Sequence, residues 1–450
     1  MKTKHYLFFL LLLQILPSCK DFLEVKPNKA LLVPTQLNDF ELLLNDDITM
    51  NVSNSLGILS DDDHTLNDAA YAALRTPLEK NSYVWASDIF EGGSTSNWNT
   101  PYQQIFNANV VLDGLAKYQE KPEEKLQKKR LMAAAYFYRA WALFHTAAVF
   151  APQYVANTAA QLPGVPVYTK ADVNLRPGRG TLEATYQQIL ADLAMAKIDA
   201  PVVTGYLTRP NKAAVFALNA RVYMAMADYA KAKIAVDSCL AYQRTLMDYN
   251  SISAFSSRPF TRTNVEVIFQ NRIISQSSFT ATTTLIDSNL YRSYASNDLR
   301  KVIYFKNGTG GVNFKGSYDG TTNLFAGLTV DEMYLDQAEC EARAGNTSAA
   351  MKTLNQLLIK RFKANTFIPL QAASADDALK IILTERRKEL LFRGLRWLDL
   401  KRLNLESAFA TTLTRKINGT TFTLAPNDKK YVLPIPDNEI ALGGLSPNDR

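Results

Sequence analysis

The chain has 450 residues, 47% of them hydrophobic and 21% charged. That balance excludes wholesale disorder, a collagen-like fibre and a small disulfide-stapled fold. The formal net charge is +7; Lys2 and Lys4 near the start account for two of these, and the +5 that remains forms no dense Lys/Arg stripe, which points away from nucleic acid as a partner. Three cysteines and three histidines are too few for a disulfide framework, a His-rich metal site or a His-based triad.

Residues 1–18 read MKTKHYLFFLLLLQILPS. Lys2 and Lys4 form a positive n-region, and Tyr6 to Leu16 form an apolar run of about eleven residues, too short for a bilayer that takes about 20. Leu16-Pro17-Ser18-Cys19 reads as a bacterial lipobox, with Pro17 departing from the usual pattern. On this reading residues 1–18 are a lipoprotein signal peptide and Cys19 is the lipidated mature N-terminus. Several acyl chains at one site make such an anchor stable. The alternative is an ordinary secretory signal with an incidental cysteine. No later segment has 18 consecutive apolar residues, so the remainder is expected to be a soluble domain tethered to a membrane outside the cytoplasm.

After a short tether, a first helix is expected at about 37–44. Residues 61–100 read as loop, broken at Gly92-Gly93. A helix over 101–118 is expected with Pro101 at its first position. The segment from about 124 to 149, rich in Ala, Leu and aromatics, predicts a buried helix ending before Pro152, with His145 as a core residue. Pro and Gly punctuate 151–180 into a long loop, and Thr181 caps a helix at about 182–197.

Residues 211–242 and 329–362 align at a constant shift of 118 residues. Ala220, Tyr223, Ala232 and Val236 around the turn Ala227-Asp228 match Ala338, Glu341, Ala350 and Leu354 around Gly345-Asn346. Each unit predicts a helix, a tight turn and a second helix, with small residues where the helices cross. That is the tetratricopeptide (TPR) pattern. Cys239 and Cys340 fall on apolar positions and are expected to be buried structural thiols. Between the units lies a loop-rich insertion, about 243–328, in which 265–270 and 301–305 alternate like short strands and 307–320 reads as a hairpin or loop. Residues 376–404 are expected to be helical with a joint at Gly394, carrying Glu389/Arg393 and Asp399/Arg402 as intrahelical pairs. The tail YVLPIPDNEI, residues 431–440, with two prolines around Ile435, reads as extended chain packed on the domain. The fold class is therefore mainly α, a TPR-like helical superhelix with an irregular loop-rich half carrying short strands.

Six segments together resemble the SusD/RagB family of Bacteroidetes outer-membrane lipoproteins. They are Cys19-Lys20-Asp21-Phe22-Leu23; Trp98 with Tyr102, Ile105 and Asn109; the aromatic helix AAAYFYRAWALFHTAAVF; Glu266 with Ile268-Phe269, then Asp298 with Arg300; Glu385-Arg386-Arg387-Lys388-Glu389-Leu390 running into Gly394 to Arg402; and Leu433-Pro434-Ile435-Pro436 followed by Glu439-Ile440. They span nearly the whole chain in family order. Arg393 departs from the family pattern, where an acidic residue is common before the glycine. The resemblance implies a single SusD-like domain over 19–450. It also implies a helical superhelix of four TPR-like hairpins, an outer-membrane, cell-surface location and anchoring to the membrane through lipid alone. The implied role is capture of oligosaccharides, or in some branches peptides, for a SusC-like TonB-dependent transporter.

Sugar recognition stacks the C–H face of a pyranose on an aromatic face and reads hydroxyls with amides, carboxylates or Arg. Loop aromatics are the candidates: Trp85, Trp98, Tyr249, Tyr291, Tyr294 and Tyr318, with Asn97, Asn99 and Arg292 beside them. The acidic run Asp61-Asp62-Asp63-His64 is expected to be a solvated loop; Asp61 and Asp63 are further candidates for ligand hydroxyls, or with Asp62 for a hard cation. Glu385 and Glu389 read as a solvated or ion-paired scaffold element, and Trp397 as core. No GxSxG, Walker A, HExxH or CxxC motif occurs, so no enzyme activity, metal or cofactor is expected. The competing readings are an extracytoplasmic glycan hydrolase, which needs two carboxylates in a cleft, and a TPR assembly adaptor of the outer membrane.

Overall fold

The TPR-like pairs are held by their small residues. In a computed structural model of the chain, which describes residues 34–279, 285–308 and 310–450, α5 (Lys212–Ala225) turns into α6 (Tyr229–Tyr242), and α7 (Val330–Arg343) into α8 (Thr347–Leu358). Ala220, Ala232, Ala338 and Ala350 are all fully buried, where a larger side chain would push the helices apart. The turns match as well as the helices do. Ala227 and Gly345 both take positive φ, +57° and +81°. The next amide reaches back across the turn, Asp228 to the Tyr223 carbonyl at 3.0 Å and Asn346 to that of Glu341 at 2.9 Å. This is a Schellman closure, which favours glycine and makes Ala227 the more strained of the two.

Further helices extend this scaffold: α1 (Leu37–Leu44), α2 (Ser96–Lys117), α3 (Lys125–Phe150), α4 (Leu182–Asp199) and α9 (Ala375–Glu389); α10 (Arg396–Leu403) follows. α3 is the centre, packing between α2 and α4. Its second half is buried all round, from Phe137 to Phe150, and His145 lies 4.4 Å from the Trp141 ring as a core residue. Lys401 of α10 donates to the Ala148 and Ala151 carbonyls at 2.9 and 2.7 Å, satisfying the end of α3 where a positive group is favoured; burial pushes its pKa down to about 7.

Several elements differ from expectation. α2 begins at Ser96, five residues before Pro101, because Thr95 caps it by accepting from the Asn97 amide at 3.1 Å. Residues 61–100 contain short helices at Asp68–Ala72 and Pro77–Tyr83. Residues 300–303 are a helical turn, and the strand starts only at Phe305, pairing with 311–314 as a hairpin inside a four-stranded sheet with 64–65 and 285–286. A second hairpin joins Leu413–Ile417 to Thr420–Leu424. The signal segment 1–18, Cys19 and the tether up to residue 33 lie outside the described residues, and residues 36–450 form one contact unit. Among the described residues no helix is long and apolar enough to cross a membrane.

A buried ion network fastens the insertion to the helices. Glu385, Lys388 and Glu389, at i, i+3 and i+4, share one face toward Arg300 and Asp298, while Arg386 and Arg387 turn toward other walls. Arg300 meets Asp298 at 2.7 Å, Glu385 at 2.6 Å and Glu389 at 3.0 Å. Arg361 bridges Glu389 at 2.7 Å and Glu266 at 2.8 Å. Arg386 pairs with Asp336 and Asp399, and Arg387 with Asp62 and Asp63. The scaffold reading of Glu385 and Glu389 thus takes its ion-paired form, away from solvent. The expected Glu389/Arg393 pair does not form: the chain leaves the helix at Leu390, and Phe392 and Gly394 turn it through positive φ. Arg393 instead holds Asp331 at 2.8 Å.

Removing one member of a buried pair leaves its partners charged and unpaired, which costs about 3–5 kcal/mol. Arg361→Met is expected to lower stability by about that amount in a denaturant titration, whereas Arg292→Ala, at an exposed site, is expected to change it by less than about 0.5 kcal/mol.

Candidate functional site

Most of the aromatic candidates face inward. The Tyr249 hydroxyl contacts those of Tyr304 and Tyr318 at 2.9 and 2.6 Å, and Tyr318 donates to Glu266 at 2.6 Å. Arg361 lies 4.1 Å above the Tyr249 ring and Arg393 3.9 Å above that of Tyr318. Tyr294 is buried and donates to the Lys388 carbonyl at 2.7 Å. These three rings line the ion network, so they have no face left for a sugar. Tyr291 is half-buried against Phe305, and Arg292 is exposed and donates to Asn289. Trp85 is 2% exposed; its indole donates to the Ser60 carbonyl at 2.9 Å, and the Arg415 guanidinium covers it at 4.6 Å. Asn97 is buried and accepts from the Ser55 amide and hydroxyl. Trp397 is core, 4.7 Å from Tyr431.

The acidic run corrects in the same direction. Asp61 and Asp63 are buried rather than solvated. Burial, with the neighbouring Asp62, pushes Asp61 up to about 7; burial and Asp61 do the same to Asp63. Against the cost of burial, Arg396 and Arg387 hold Asp62 below the usual carboxylate range. Arg396 grips Asp62 through two bonds at 2.7 and 2.9 Å. The run is a docking point for α9 and α10: Asp62 and Asp63 pair with arginine, and the Asp61 carboxylate accepts from the Asp63 amide.

Trp98 and Asn99 come together in a groove of about 360 Å³. Trp98, Tyr102, Ile105 and Asn109 recur along one face of α2. Ile105 is fully buried. Trp98 is 3% exposed and packs beneath the groove, with its ring 4.8 Å from Tyr102 and edge-on to Phe150, so it supports the floor rather than offering an open platform face. Tyr168, from the 151–181 loop, stands edge-on to Tyr102 at 5.8 Å. Tyr102 and Tyr168 are half-buried, leaving ring surface at the groove. Asn99, Gln103, Asp172, Arg176 and Glu439 supply polar groups around them.

A chain of hydrogen bonds positions the Tyr168 loop. Asp192 receives two bonds from Arg139 at 2.8 and 2.5 Å; Arg139 donates to Asn109 at 2.8 Å; Asn109 donates to the Tyr168 and Lys170 carbonyls at 3.0 and 3.2 Å. Arg179 donates to Gly164 and Ser446 carbonyls, which ties down the C-terminal segment carrying Glu439 and Leu445. Of these groove residues, Tyr102 and Asn109 stood in a recognisable spacing. Tyr168, Asp172 and Arg176 come from one loop well beyond α2, Glu439 comes from near the C-terminus, and no local pattern marks them.

A helical scaffold carrying a loop-framed aromatic groove is the architecture of a ligand-binding protein. Two family profiles match the chain: a SusD-like family described as starch-binding and associating with the outer membrane over residues 21–224, and the SusD family over residues 288–445. The chain belongs to the SusD family. Its fold is similar to that of a putative sugar-binding protein from Bacteroides vulgatus ATCC 8482, with TM-score 0.75, 20% identity and coverage of 93% of this chain and 99% of that one. A SusD superfamily protein from Bacteroides thetaiotaomicron VPI-5482 gives 0.74, 21%, 92% and 100%. Surface glycan-binding protein A from Bacteroides fluxus gives 0.70, 18%, 92% and 99%. No curated protein sequence matches the chain at a significant level.

Asn109→Ala removes the link between α2 and the Tyr168 loop and strips Arg139 of one acceptor. It is expected to destabilise the chain by about 1–3 kcal/mol and to raise the proteolysis rate at 166–176 before global unfolding. Unchanged protection of that loop would show that Asn109 does not hold it.

Proposed function

We propose that the chain is a cell-surface lipoprotein of the outer membrane that binds oligosaccharides without turning them over and delivers them to a SusC-like TonB-dependent transporter. The observation that carries this reading is the Trp98–Tyr102–Tyr168 groove. Its Tyr102 and Tyr168 rings are half-exposed and can take pyranose C–H surfaces, and its polar rim can take hydroxyls, the two things a neutral sugar presents. Family membership and the sugar-binding and glycan-binding names of two similar structures support it. Cys19 in its lipobox supports anchoring through lipid, and the family's description supports the outer membrane. Held beside its transporter, the protein works at high effective concentration, so a weak intrinsic affinity suffices.

Residues 20–450 contain all of the described core and can be assayed without the lipid. Calorimetry against a panel of oligosaccharides is expected to show saturable binding with the sugar recovered intact. Tyr168→Ala and Tyr102→Leu are each expected to weaken binding by about fivefold to tenfold, the worth of one aromatic contact. Hydrolysed sugar would favour the glycan hydrolase, and affinity unchanged by both substitutions would move the ligand out of this groove. In native membranes, Cys19→Ser is expected to release the protein, and the unmodified protein is expected to co-purify with a TonB-dependent transporter.

A further inference from the structure

The insertion carries a second cleft, of about 410 Å³, and its charge is one-sided. Arg258, Lys306 and Lys315 line it, with no aspartate or glutamate among its lining residues. Arg258 and Lys306 are exposed, and neither forms an ion pair among the described residues. Lys315 is half-buried and donates to the Ala254 and Ser256 carbonyls at 2.5 and 3.0 Å, which fixes the loop that carries Arg258. Burial, and then the neighbouring Lys306, pushes the Lys315 pKa down: one cation feels another, and no carboxylate offsets them. The acid on the facing loop, Asp319, is buried and accepts from Gln270 and Thr321.

This arrangement contrasts with the rest of the molecule. Elsewhere Arg262 and Arg300 of the insertion and the arginines of α9 and α10 are matched to carboxylates. In this cleft Arg258 and Lys306 are left open to solvent, beside rings of Phe279, Phe314 and Phe392 and the side-chain amides of Gln276 and Asn323. Cations recognise an anionic group, apolar rings accept a pyranose face, and amides read hydroxyls. An acidic peptide would use the cations but would leave the amides and rings with less to do.

We propose that this cleft is a binding site for the acidic groups, uronate carboxylates or sulfate esters, of an anionic oligosaccharide. Its ligand class is narrower than that of the aromatic groove and is set by Arg258 and Lys306. The inference rests on the glycan-binding reading for its occupant but on a different set of residues for its site.

The test is calorimetry of residues 20–450 with a hexuronate tetrasaccharide, its carboxyl-reduced neutral counterpart, oligoglutamate and inorganic sulfate, at low and high salt. The uronate is expected to bind about tenfold more tightly than the neutral sugar and to lose that margin at high salt. The double variant Arg258→Ala/Lys306→Ala, both at exposed positions, is expected to erase the margin while leaving thermal stability and neutral-sugar binding unchanged. Equal affinity for the charged and neutral sugars, or a margin that survives the double substitution, overturns the proposal. Oligoglutamate binding as tightly as the uronate points to an acidic peptide, and sulfate alone binding as tightly points to a simple anion site; either result overturns it too. If Tyr168→Ala abolishes sugar binding while Arg258→Ala/Lys306→Ala changes nothing, the glycan-binding reading stands and the cleft proposal falls.

Discussion

The structure depends on a chain of buried charges running Asp298–Arg300–Glu389–Arg361–Glu266. Arg300, Arg361, Glu389 and Glu266 have no exposed side-chain surface. Glu266, Asp298 and Arg300 come from the insertion, Arg361 follows α8, and Glu389 ends α9. Burying so many ions is costly unless each is paired and hydrogen-bonded, and here the guanidiniums span two or three acceptors each. The geometry therefore specifies one docking of the loop-rich half on the helices. Tyr249, Tyr304 and Tyr318 complete the lining, with their hydroxyls linked to one another and to Glu266.

That constraint explains where open concavities remain. A half composed of Ser, Thr, Asn and aromatics has little helix to stiffen it. Once its tyrosines and acids are committed to the network, the surfaces left for recognition are concavities at the edges. The Trp98 groove borrows its rigidity from α2 and from the Asp192–Arg139–Asn109 relay. The basic cleft borrows its rigidity from Lys315, whose ammonium is spent on two loop carbonyls. In the groove the side chains that hold the loop are buried, in the cleft Lys315 is half-buried, and Tyr102, Tyr168, Arg258 and Lys306 at the openings are partly or wholly exposed.

The repeat was legible because it is local. Ala220/Ala232 and Ala338/Ala350 recur at a fixed shift, and helix crossings demand small residues at that spacing. The Glu385–Arg402 segment was legible as scaffold, yet its partners were hidden because Asp62, Glu266 and Asp298 lie far away in sequence. The same blindness made Trp85, Tyr249, Tyr294 and Tyr318 look like platform aromatics. Their surrounding composition is that of loops, and only long-range pairing with Arg415, Arg361, Lys388 and Arg393 shows them to be core. Asp61 and Asp63 read as solvated because nothing nearby in the chain carries positive charge. Asn418-Gly419 between alternating strands is a local mark of the 413–424 hairpin, and both residues take the positive φ that such a turn requires.

The central claim is that binding occurs on edge concavities while the tyrosine-lined charge network stays closed. A crystal structure of residues 20–450 soaked with an oligosaccharide shown to bind tests this most directly. The account predicts sugar density against Tyr102 and Tyr168 or in the cleft beside Arg258 and Lys306, with the Tyr249–Tyr318–Glu266 contacts unchanged. Sugar stacked on Tyr249, Tyr294 or Tyr318, with the Arg361–Glu389 pair opened to admit it, would contradict the account.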